Sequence, residues 1–291
     1  MEKKELYGMG VALVTPFDAE GMVDHKALGD LVDYQVESRA DFLCVLGTTA
    51  ETPTLSEEEQ QAVRNTVVER NAGRLPILLG CGGNCTRNIV NKLAKDKMDD
   101  ADAILSVVPY YNKPTQEGMY AHFKAIAEAT EMPIILYNVP GRTGVNMLPD
   151  TTLRLATDCK NVVGIKEASG NIEQIEYILR NRPNGFKVFS GDDGITLPLI
   201  KSGADGVISV IGNAYAKEFA EMVHLAQAGD YAAAKLIDER LTELYRLIFV
   251  DGNPAGIKVV MELRGMLKNV LRLPLVPATK ATCEKIVAAL L

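Results

Sequence analysis

The chain has 291 residues, of which 47% are hydrophobic and 24% are charged, so it holds enough apolar material for one large core or two smaller ones. Its formal net charge of -7 argues against nucleic acid as a partner, because phosphate binding depends on clustered positive charge. No apolar run is long enough to span a bilayer, and the charged segment 1–5 is not followed by the apolar stretch of a signal peptide, so neither a membrane partner nor secretion is expected.

Strand-like and helix-like segments alternate along most of the chain. Short apolar runs bounded by turn residues are typical of buried parallel strands, and they occur in the order 10–15, 41–46, 76–80, 103–108, 133–137, 162–166, 186–189 and 206–210. Parallel strands need crossover connections, which the intervening helical segments supply. Such a series of α/β units favours a (β/α)8 TIM barrel. A doubly wound open sheet is the alternative that alternation alone leaves open.

Capping residues and apolar spacing predict the helices between these strands. Asp24 is expected to cap a helix that ends near Ser38. Ser56 and Glu59 form a Ser-x-x-Glu capping box for a helix that ends near Asn71. Apolar residues at helical spacing predict four buried helix faces: Ile89, Leu93 and Ala94; Met119, Phe123, Ile126 and Ala127; Ile172, Ile175 and Leu179; and Ile237, Leu241, Leu244 and Ile248.

From about Ala214 the pattern is helical to the end of the chain. Pro254 and Pro274 interrupt it, and about three additional helices are expected beside the barrel. We therefore predict a barrel over residues 1–212, in which any catalysis takes place, and a C-terminal helical extension over residues 213–291 that packs on it.

The cysteines and histidines indicate neither a disulfide framework nor a metal centre. The five cysteines are odd in number and form no Cys-x-x-Cys pair, so we interpret them as reduced thiols of a cytoplasmic protein. The three histidines are far apart and lack the spacing of metal ligands, so no metal is expected.

Lys166 is the residue with the most specific chemical implication. It lies at the C-terminal end of the sixth predicted strand, directly after the apolar run 162–165. An amine held among apolar groups loses hydration, which disfavours its charged form, and a neutral amine forms a Schiff base with a ketone or keto acid. The plainer alternatives are that Lys166 extends to solvent or pairs with the adjacent Glu167.

Other polar side chains also follow predicted strands, where the active sites of parallel barrels lie. The residues of interest at these strand ends are Thr48, Thr49, Tyr110, Tyr111, Tyr137, Arg142, Lys166, Gly191 and Ile208. Hydroxyls relay the protons that carbinolamine formation requires, and arginine is a bidentate partner for a carboxylate. Taken singly, the threonines are equally suited to turn hydrogen bonds and the tyrosines to packing. Asp192 and Asp193 are more simply explained as helix caps than as metal ligands.

Four segments carry a resemblance to a known family: 47–51, 109–114, 137–144 and 164–168. Together they resemble the dihydrodipicolinate synthase family, which belongs to the pyruvate-dependent class I aldolases that include N-acetylneuraminate lyase. The similarity runs in order, with similar spacing, from about residue 10 to residue 258. It implies a TIM-barrel enzyme that works through a Schiff base and requires neither a metal nor an organic cofactor.

The resemblance also implies catalytic roles for four residues. Lys166 matches the lysine that forms an imine with pyruvate, and Tyr137 matches the general acid–base at that imine. Thr48 and Tyr111 match the other members of a hydroxyl relay. In the family, the tyrosine that matches Tyr111 reaches into the site of a neighbouring subunit, so a homo-oligomer is expected, with a tetramer built from dimers as the usual form.

Further residues match substrate-binding positions of the family. Thr49 and Ile208 match residues that line the pyruvate pocket, and Gly191 matches a glycine beside the site. Arg142 matches the residue that receives the carboxylate of the second substrate. The implied reaction is the condensation of pyruvate with L-aspartate 4-semialdehyde to 4-hydroxy-tetrahydrodipicolinate, in diaminopimelate and lysine synthesis.

One region departs from the pattern of family members that lysine inhibits. Those members bind lysine near the positions of Asn84, Asn88 and Tyr110, and they often carry a histidine where Gln60 stands and an acid where Asn88 stands. A neutral amide binds an ammonium group less well than a carboxylate does. Weak or absent feedback by lysine is therefore expected.

Two alternative functions are considered beside this one. Another pyruvate-dependent aldolase, such as a sialic acid or keto-deoxy sugar acid lyase, requires a pocket for a polyol, whereas Thr48, Thr49 and Arg142 suit a short substrate with a carboxylate. A barrel that only binds a ligand is the other alternative, and the joint presence of Lys166 and Tyr137 argues against it.

Overall fold

A computed structural model describes residues 3–290; Met1 and Glu2, which begin the charged N-terminal segment, and Leu291 lie outside the described residues. The strands are β1 Gly8–Ala12, β2 Phe42–Val45, β3 Ile77–Gly80, β4 Ala103–Val107, β5 Ile134–Asn138, β6 Val162–Glu167, β7 Lys187–Ser190 and β8 Gly206–Ser209. They close into a barrel in chain order, from β1 to β8. The TIM-barrel prediction is confirmed, and the open-sheet alternative is wrong.

The helices alternate with these strands up to β8. They are α1 His25–Glu37, α2 Glu57–Asn71, α3 Thr86–Lys95, α4 Gln116–Glu128, α5 Pro140–Thr143, α6 Pro149–Asp158, α7 Ile172–Asn181, α8 Thr196–Lys201, α9 Ala216–Gln227, α10 Tyr231–Leu247, α11 Ala255–Leu263 and α12 Lys280–Leu290. No helix in the described part of the chain combines the length and the apolar character that crossing a membrane would require.

The chain divides into two compact units. One comprises residues 77–208 with the N-terminal segment through Glu5, and the other comprises residues 6–76 and 209–291. In the first unit, β3 to β8 are joined by parallel pairing of consecutive strands. In the second, β1 pairs in parallel with β2, and α9 packs against β1. The predicted boundary near residue 212 between barrel and helical extension stays a prediction.

The strands fall within a few residues of the predicted segments, with the largest shift in β1. Its predicted range 10–15 continues past the last strand residue, Ala12. Beyond Ala12 the backbone changes its partners, because the Val14 amide donates to the Asn213 side chain and the Thr15 hydroxyl donates to the Ala50 carbonyl. Apolar composition predicts burial, and it cannot tell a strand from a buried loop whose polar groups are satisfied by side chains.

Both predicted helix caps are confirmed. The Asp24 carboxylate accepts from the Ala27 amide at 2.9 Å, and α1 ends one residue before Ser38. At α2, Ser56 Oγ accepts from the Glu59 amide while the Glu59 carboxylate accepts from the Ser56 amide, which is the reciprocal capping box.

The predicted helix faces are confirmed in α4 and largely in α10, and they are wrong in part elsewhere. In α3, Ile89 and Leu93 are buried, whereas Ala94 is exposed. In α7, Ile175 is fully buried and Leu179 is half-buried, whereas Ile172 is 41% exposed. Apolar spacing identifies one face of a helix but not what covers it, so it overestimates burial where neighbouring elements leave part of that face exposed.

The C-terminal part contains α9 to α12. Because α9 packs against β1 and follows β8, it is the helix of the eighth α/β unit. The helices α10, α11 and α12 remain, and α12 packs against both α10 and α11. The expectation of about three additional helices is confirmed.

Candidate active site

Lys166 lies at the C-terminal end of β6 and is buried, with 5% of its surface exposed. The pairing of β5 with β6 sets Tyr137 directly opposite Lys166. The Lys166 Nζ atom lies 4.6 Å from the centroid of the Tyr137 ring. The amine therefore contacts the face of the one phenol that the sequence places on the neighbouring strand.

Glu167 does not serve as the partner of Lys166, so both plainer alternatives for the lysine are wrong. Successive side chains of a strand point to opposite faces, and Glu167 is directed away from its neighbour. Its carboxylate accepts from the side-chain amides of Asn138 at 3.0 Å and Gln174 at 2.9 Å. Lys166 is buried, so it does not extend to solvent either.

Gly191 follows β7 beside the lysine, as the sequence predicts. A Cβ atom at this position would lie 2.6 Å from the Cβ of Ala168 and 3.1 Å from Cε of Lys166. Real Cβ atoms do not approach other carbons at 2.6 Å, so a larger residue would displace the lysine stem or the backbone at Ala168. The absence of a side chain at Gly191 therefore leaves room for the Lys166 side chain.

Thr48 and Thr49 belong to the other unit, in a turn that follows β2. The turn begins with Leu46 at φ 56° and ends with Glu51 at φ 54°, both in the left-handed region that non-glycine residues rarely adopt. Thr48 is half-buried, and Thr49 is buried. The side-chain amide of Asn253 donates to Thr49 Oγ at 2.9 Å, so the Thr49 proton stays available to a ligand.

A buried ion pair holds the same turn in place. The Lys258 Nζ atom lies 2.6 Å from Glu51 Oε1, and both side chains are 0% exposed. Lys258 also donates to the Val270 carbonyl, and Glu51 Oε2 accepts from the Arg272 amide at 3.0 Å. Burial lowers the pKa of Lys258, and the Glu51 carboxylate opposes that shift.

Sequence reasoning missed the structural role of Asn253, Glu51 and Lys258. The family resemblance extends to about residue 258 and implies no role for Asn253 or Lys258. A signal was present, because a lysine inside the apolar helix segment 255–263 requires a buried acid. The sequence did not indicate which acid, since Glu51 is separated from Lys258 by 207 positions.

Tyr110 and Tyr111 follow β4 and are 40% and 84% exposed. Tyr111 has φ 78° and Lys113 has φ 50°, so the backbone of this segment is held in an unfavourable conformation. A large aromatic side chain with such exposure is typical of a contact with another chain.

Arg142 is exposed on the short helix α5, which follows β5. Gly144 ends this helix with φ 76°, the left-handed C-cap that glycine favours. Ile208, on β8, is fully buried. Asn84 and Asn88, at the start of α3, are exposed, as the expectation of a surface site requires.

Of the two aspartates after β7, Asp192 acts as a cap, as predicted, whereas Asp193 lies within the turn and occupies neither cap position. Asp192 Oδ1 accepts from the Gly194 amide at 2.9 Å and so caps the turn that leads into α8. Over residues 3–290, no group of three or more His, Cys, Asp or Glu side chains is arranged to hold a metal ion.

The closed parallel barrel and the buried Lys166 amine at the end of its sixth strand are characteristic of TIM-barrel enzymes that act on carbonyl groups through a lysine. The chain belongs to the dihydrodipicolinate synthetase family, whose model matches residues 5–291. The resemblance inferred from the four sequence segments is confirmed.

Individual relatives agree over nearly the whole chain. The 4-hydroxy-tetrahydrodipicolinate synthase of Parabacteroides distasonis is 61% identical over 281 residues, which cover 97% of this chain and 95% of that protein. The structure of dihydrodipicolinate synthase from Acinetobacter baumannii complexed with pyruvate has a TM-score of 0.95 at 41% identity and covers 98% of both chains. The synthase of Cyanidioschyzon merolae with lysine bound has a TM-score of 0.93 at 38% identity, covering 99% of this chain and 98% of that one.

Proposed function

We propose that this protein condenses pyruvate with L-aspartate 4-semialdehyde to give 4-hydroxy-tetrahydrodipicolinate, through a Schiff base on Lys166. The product belongs to diaminopimelate and lysine biosynthesis. The observation that carries the proposal is the buried Lys166 amine, 4.6 Å from the centroid of the Tyr137 ring, in a chain of the dihydrodipicolinate synthetase family. The name of the 61% identical relative and the pyruvate in the A. baumannii structure support the same reaction.

The lysine supplies the chemistry. Its amine adds to the C2 carbonyl of pyruvate, and the carbinolamine loses water to give an imine. Loss of a proton from the methyl group then gives an enamine, whose terminal carbon attacks the aldehyde of the second substrate. The amine of that substrate finally adds to the imine carbon and displaces Lys166 as the ring closes. The protonated imine accepts the electron pair, so these steps use no metal or organic cofactor.

Tyr137 is the group that moves protons at the imine, because its ring faces the lysine amine across the paired strands β5 and β6. Thr48 and Tyr111 take the relay roles that the family resemblance implies. Thr49 binds the pyruvate carboxylate through its hydroxyl proton, which the hydrogen bond from Asn253 leaves free.

The remaining roles concern the shape of the site and the second substrate. Ile208 forms an apolar wall, and Gly191 leaves room for the lysine stem. Arg142 receives the carboxylate of the second substrate, for which its exposed position on α5 is suitable.

Borohydride trapping tests the nucleophile. Borohydride reduces an imine to a stable amine, so incubation with pyruvate is expected to increase the mass of the peptide that contains Lys166. Lys166→Ala is expected to abolish this label, whereas Lys235→Arg, at an exposed lysine of α10, is the lysine control that should keep it. Labelling that persists in Lys166→Ala, or that maps to another lysine, contradicts the assignment.

The second substrate is tested separately. A coupled assay with pyruvate and L-aspartate 4-semialdehyde is expected to show turnover, whereas N-acetylneuraminate is expected to show no cleavage. Pyruvate labelling combined with cleavage of a sugar acid would instead indicate a lyase of the wider aldolase family. A chain without labelling or turnover would be a binding protein.

We further propose that the protein works as a homo-oligomer in the cytoplasm. The exposed Tyr111 supports a contact in which each subunit supplies a tyrosine to its neighbour, and a tetramer built from such dimers is the expected form. The five free cysteines are suited to a reducing compartment.

We also propose that lysine inhibits this enzyme weakly or not at all. Gln60 donates to the Leu55 carbonyl at 3.1 Å, so its side chain is engaged within its own turn. Asn88 is an exposed neutral amide that offers no charge to an ammonium group. Millimolar lysine is expected to leave the condensation rate nearly unchanged, and Asn88→Glu is expected to increase inhibition. Strong inhibition of the unmodified protein would refute this.

A further inference from the structure

A second pair of opposed residues lies next to Tyr137 and Lys166 on the same two strands. The register of β5 and β6 pairs Tyr137 with Lys166 and the following residues, Asn138 and Glu167, with each other. Because strand side chains alternate, Asn138 and Glu167 lie on the face opposite to the phenol and the amine. Both are completely buried.

The Glu167 carboxylate is surrounded by hydrogen-bond donors. Its Oε1 accepts from Asn138 Nδ2 and from the Ser169 amide, each at 3.0 Å, and its Oε2 accepts from Gln174 Nε2 at 2.9 Å. Burial raises the pKa of Glu167, and the hydrogen bonds from Gln174, Asn138 and Ser169 oppose that rise. A carboxylate accepts in every direction, so only an acid in this position satisfies all of these donors.

The same network reaches the segment that follows the Arg142 helix. Asn138 Oδ1 accepts from the Met147 amide at 3.0 Å, and Asn146 donates to Gln174 Oε1 at 2.8 Å. The side chains therefore join β5, β6, α7 and the segment 146–147. The pairing of β5 with β6 is irregular between Ile134 and Ile135 and continuous from Ile135 to Asn138, so the side-chain network adds to the backbone ladder at the C-terminal end and ties it to α7.

We propose that Glu167 is a positioning residue for the reaction: through Asn138 and Gln174 it braces the C-terminal ends of β5 and β6 against α7, and so holds the Lys166 amine in place against the Tyr137 phenol. It touches neither substrate, and its role rests on the proposed Schiff-base function. A displacement of about 1 Å between reacting groups can lower a rate by about a hundredfold, so a loosened bridge has a measurable effect on catalysis.

Two substitutions of Glu167 test the proposal. Glu167→Leu has a similar size and accepts no hydrogen bond, while Glu167→Gln keeps one acceptor oxygen and turns its amide toward donors. We expect Glu167→Leu to lower kcat and the rate of borohydride trapping at least about tenfold, with the KM for pyruvate changed by less than about twofold. Glu167→Gln should be intermediate. Glu173→Gln, an exposed position in the first turn of α7, is the matched control and should resemble the unmodified protein.

Unfolding measurements separate positioning from general stability. All rates are compared at a temperature well below the unfolding midpoint of each variant, where the protein is fully folded. A folded Glu167→Gln with the kcat of the unmodified protein overturns the proposal, even if Glu167→Leu fails to fold. So does a Glu167→Leu variant whose kcat, per mole of folded protein, equals that of the unmodified protein. If pyruvate does not label the unmodified protein, the proposed function itself is wrong. If the unmodified protein and the folded Glu167 variants are equally active, only the positioning role of Glu167 is wrong.

Discussion

Tyr137 has two proposed roles, one for its ring and one for its hydroxyl, and a substitution can remove one without the other. Its ring packs against the Lys166 amine, and its hydroxyl is the group suited to move protons. The ring contact is a packing and cation–π interaction, which phenylalanine would keep. Only the hydroxyl distinguishes catalysis from packing at this position.

Tyr137→Phe is therefore expected to lower kcat by about 10²- to 10⁴-fold, because general acid–base catalysis by a positioned side chain contributes about this much. The unfolding midpoint should change little, since the buried ring remains. Steady-state kinetics with parallel thermal unfolding measure both effects. Tyr120→Phe is a matched control, because it also removes one tyrosine hydroxyl. The Tyr120 hydroxyl donates to Asp158 at the end of α6, and α6 contains no proposed catalytic residue. Near-normal turnover in Tyr137→Phe would remove the tyrosine from the mechanism.

The turn after β2 and the helix α11 are connected by a buried ion pair. Glu51 and Lys258 satisfy each other and the nearby Val270 carbonyl and Arg272 amide, and the Phe17 ring lies 4.4 Å from the lysine Nζ atom. Ion pairs of this kind add little net stability over an apolar replacement, but removal of one partner leaves a charge buried without compensation. The left-handed turn at Glu51 therefore depends on a helix that lies late in the chain.

Lys258→Met is expected to lower the free energy of unfolding by about 3–5 kcal/mol, because the Glu51 carboxylate loses its counter-charge in a dry site. The combined variant Glu51→Gln/Lys258→Met should recover part of this loss, since the uncompensated charge is then removed. Urea unfolding at neutral pH measures both. Lys235→Met changes an exposed lysine of α10 and should have an effect below about 1 kcal/mol. Equal effects at positions 258 and 235 would contradict the role of the buried pair.

The start of α2 is tied to the C-terminal segment by a second pair, Glu59 with Arg272. Hydrogen bonds from the Arg272 guanidinium, followed by the bond from the Ser56 amide, lower the pKa of Glu59 to about 2. The folded state therefore holds this carboxylate ionised at pH values where the unfolded chain begins to take up a proton. This contribution to stability is complete above the unfolded pKa near 4.5 and is lost as pH falls toward 2.

Glu59→Gln is expected to reduce stability at pH 7, and the difference from the unmodified protein should shrink as pH falls from about 5 to about 2. Glutamine keeps the geometry of the capping box, so the change reports mainly on the charge. Urea midpoints across this pH range give the measurement. Glu57→Gln, an exposed acid in the same first turn, controls for the helix dipole. A difference that stays constant with pH would show that the Arg272 pair is not responsible.

Assembly is a property of more than one chain, and in the proposed function Tyr111 is the residue that connects it with catalysis. Its side chain is 84% exposed and its backbone has an unfavourable positive φ, so the single chain offers no reason for this conformation. A neighbouring subunit that receives the tyrosine would provide one.

Mixed subunits test this expectation. If Tyr111 acts in the neighbour's site, co-expression of Tyr111→Phe with Lys166→Ala regenerates one intact site in each mixed dimer, and random pairing restores about a quarter of all sites. Condensation activity of the mixture, compared with each variant alone, gives the result. Tyr137→Phe mixed with Lys166→Ala is the matched control and should stay inactive, because both residues lie on adjacent strands of one chain. Failure of the first mixture to recover activity would place Tyr111 in its own subunit's site or outside catalysis.

Local sequence patterns predicted the strands and helices well, but they predicted less well the tertiary contacts that hold these elements in place. Apolar runs located every strand, and the Ser56–Glu59 box located the start of α2, because caps and strand composition act over a few residues. Helical spacing placed Ile172 in a buried face and was wrong, because burial depends on what lies over the helix. For the candidate site, the strand-end pattern singled out Lys166 and Tyr137, which lie opposite each other on β6 and β5, but it did not indicate the hydrogen-bond partners of Glu167 and Lys258.

The order of the eight α/β units, the lysine at the end of the sixth strand and the family motifs can all be read from the amino-acid sequence, because each depends on residues close together in the chain. The partners of the buried charges become visible only in the folded chain. Glu167 was adjacent to Lys166 in sequence and yet faces Asn138 and Gln174, and Lys258 is joined to Glu51 across 207 positions. A buried charge must find its counterpart in space, and the folding of the backbone sets which distant residue that is.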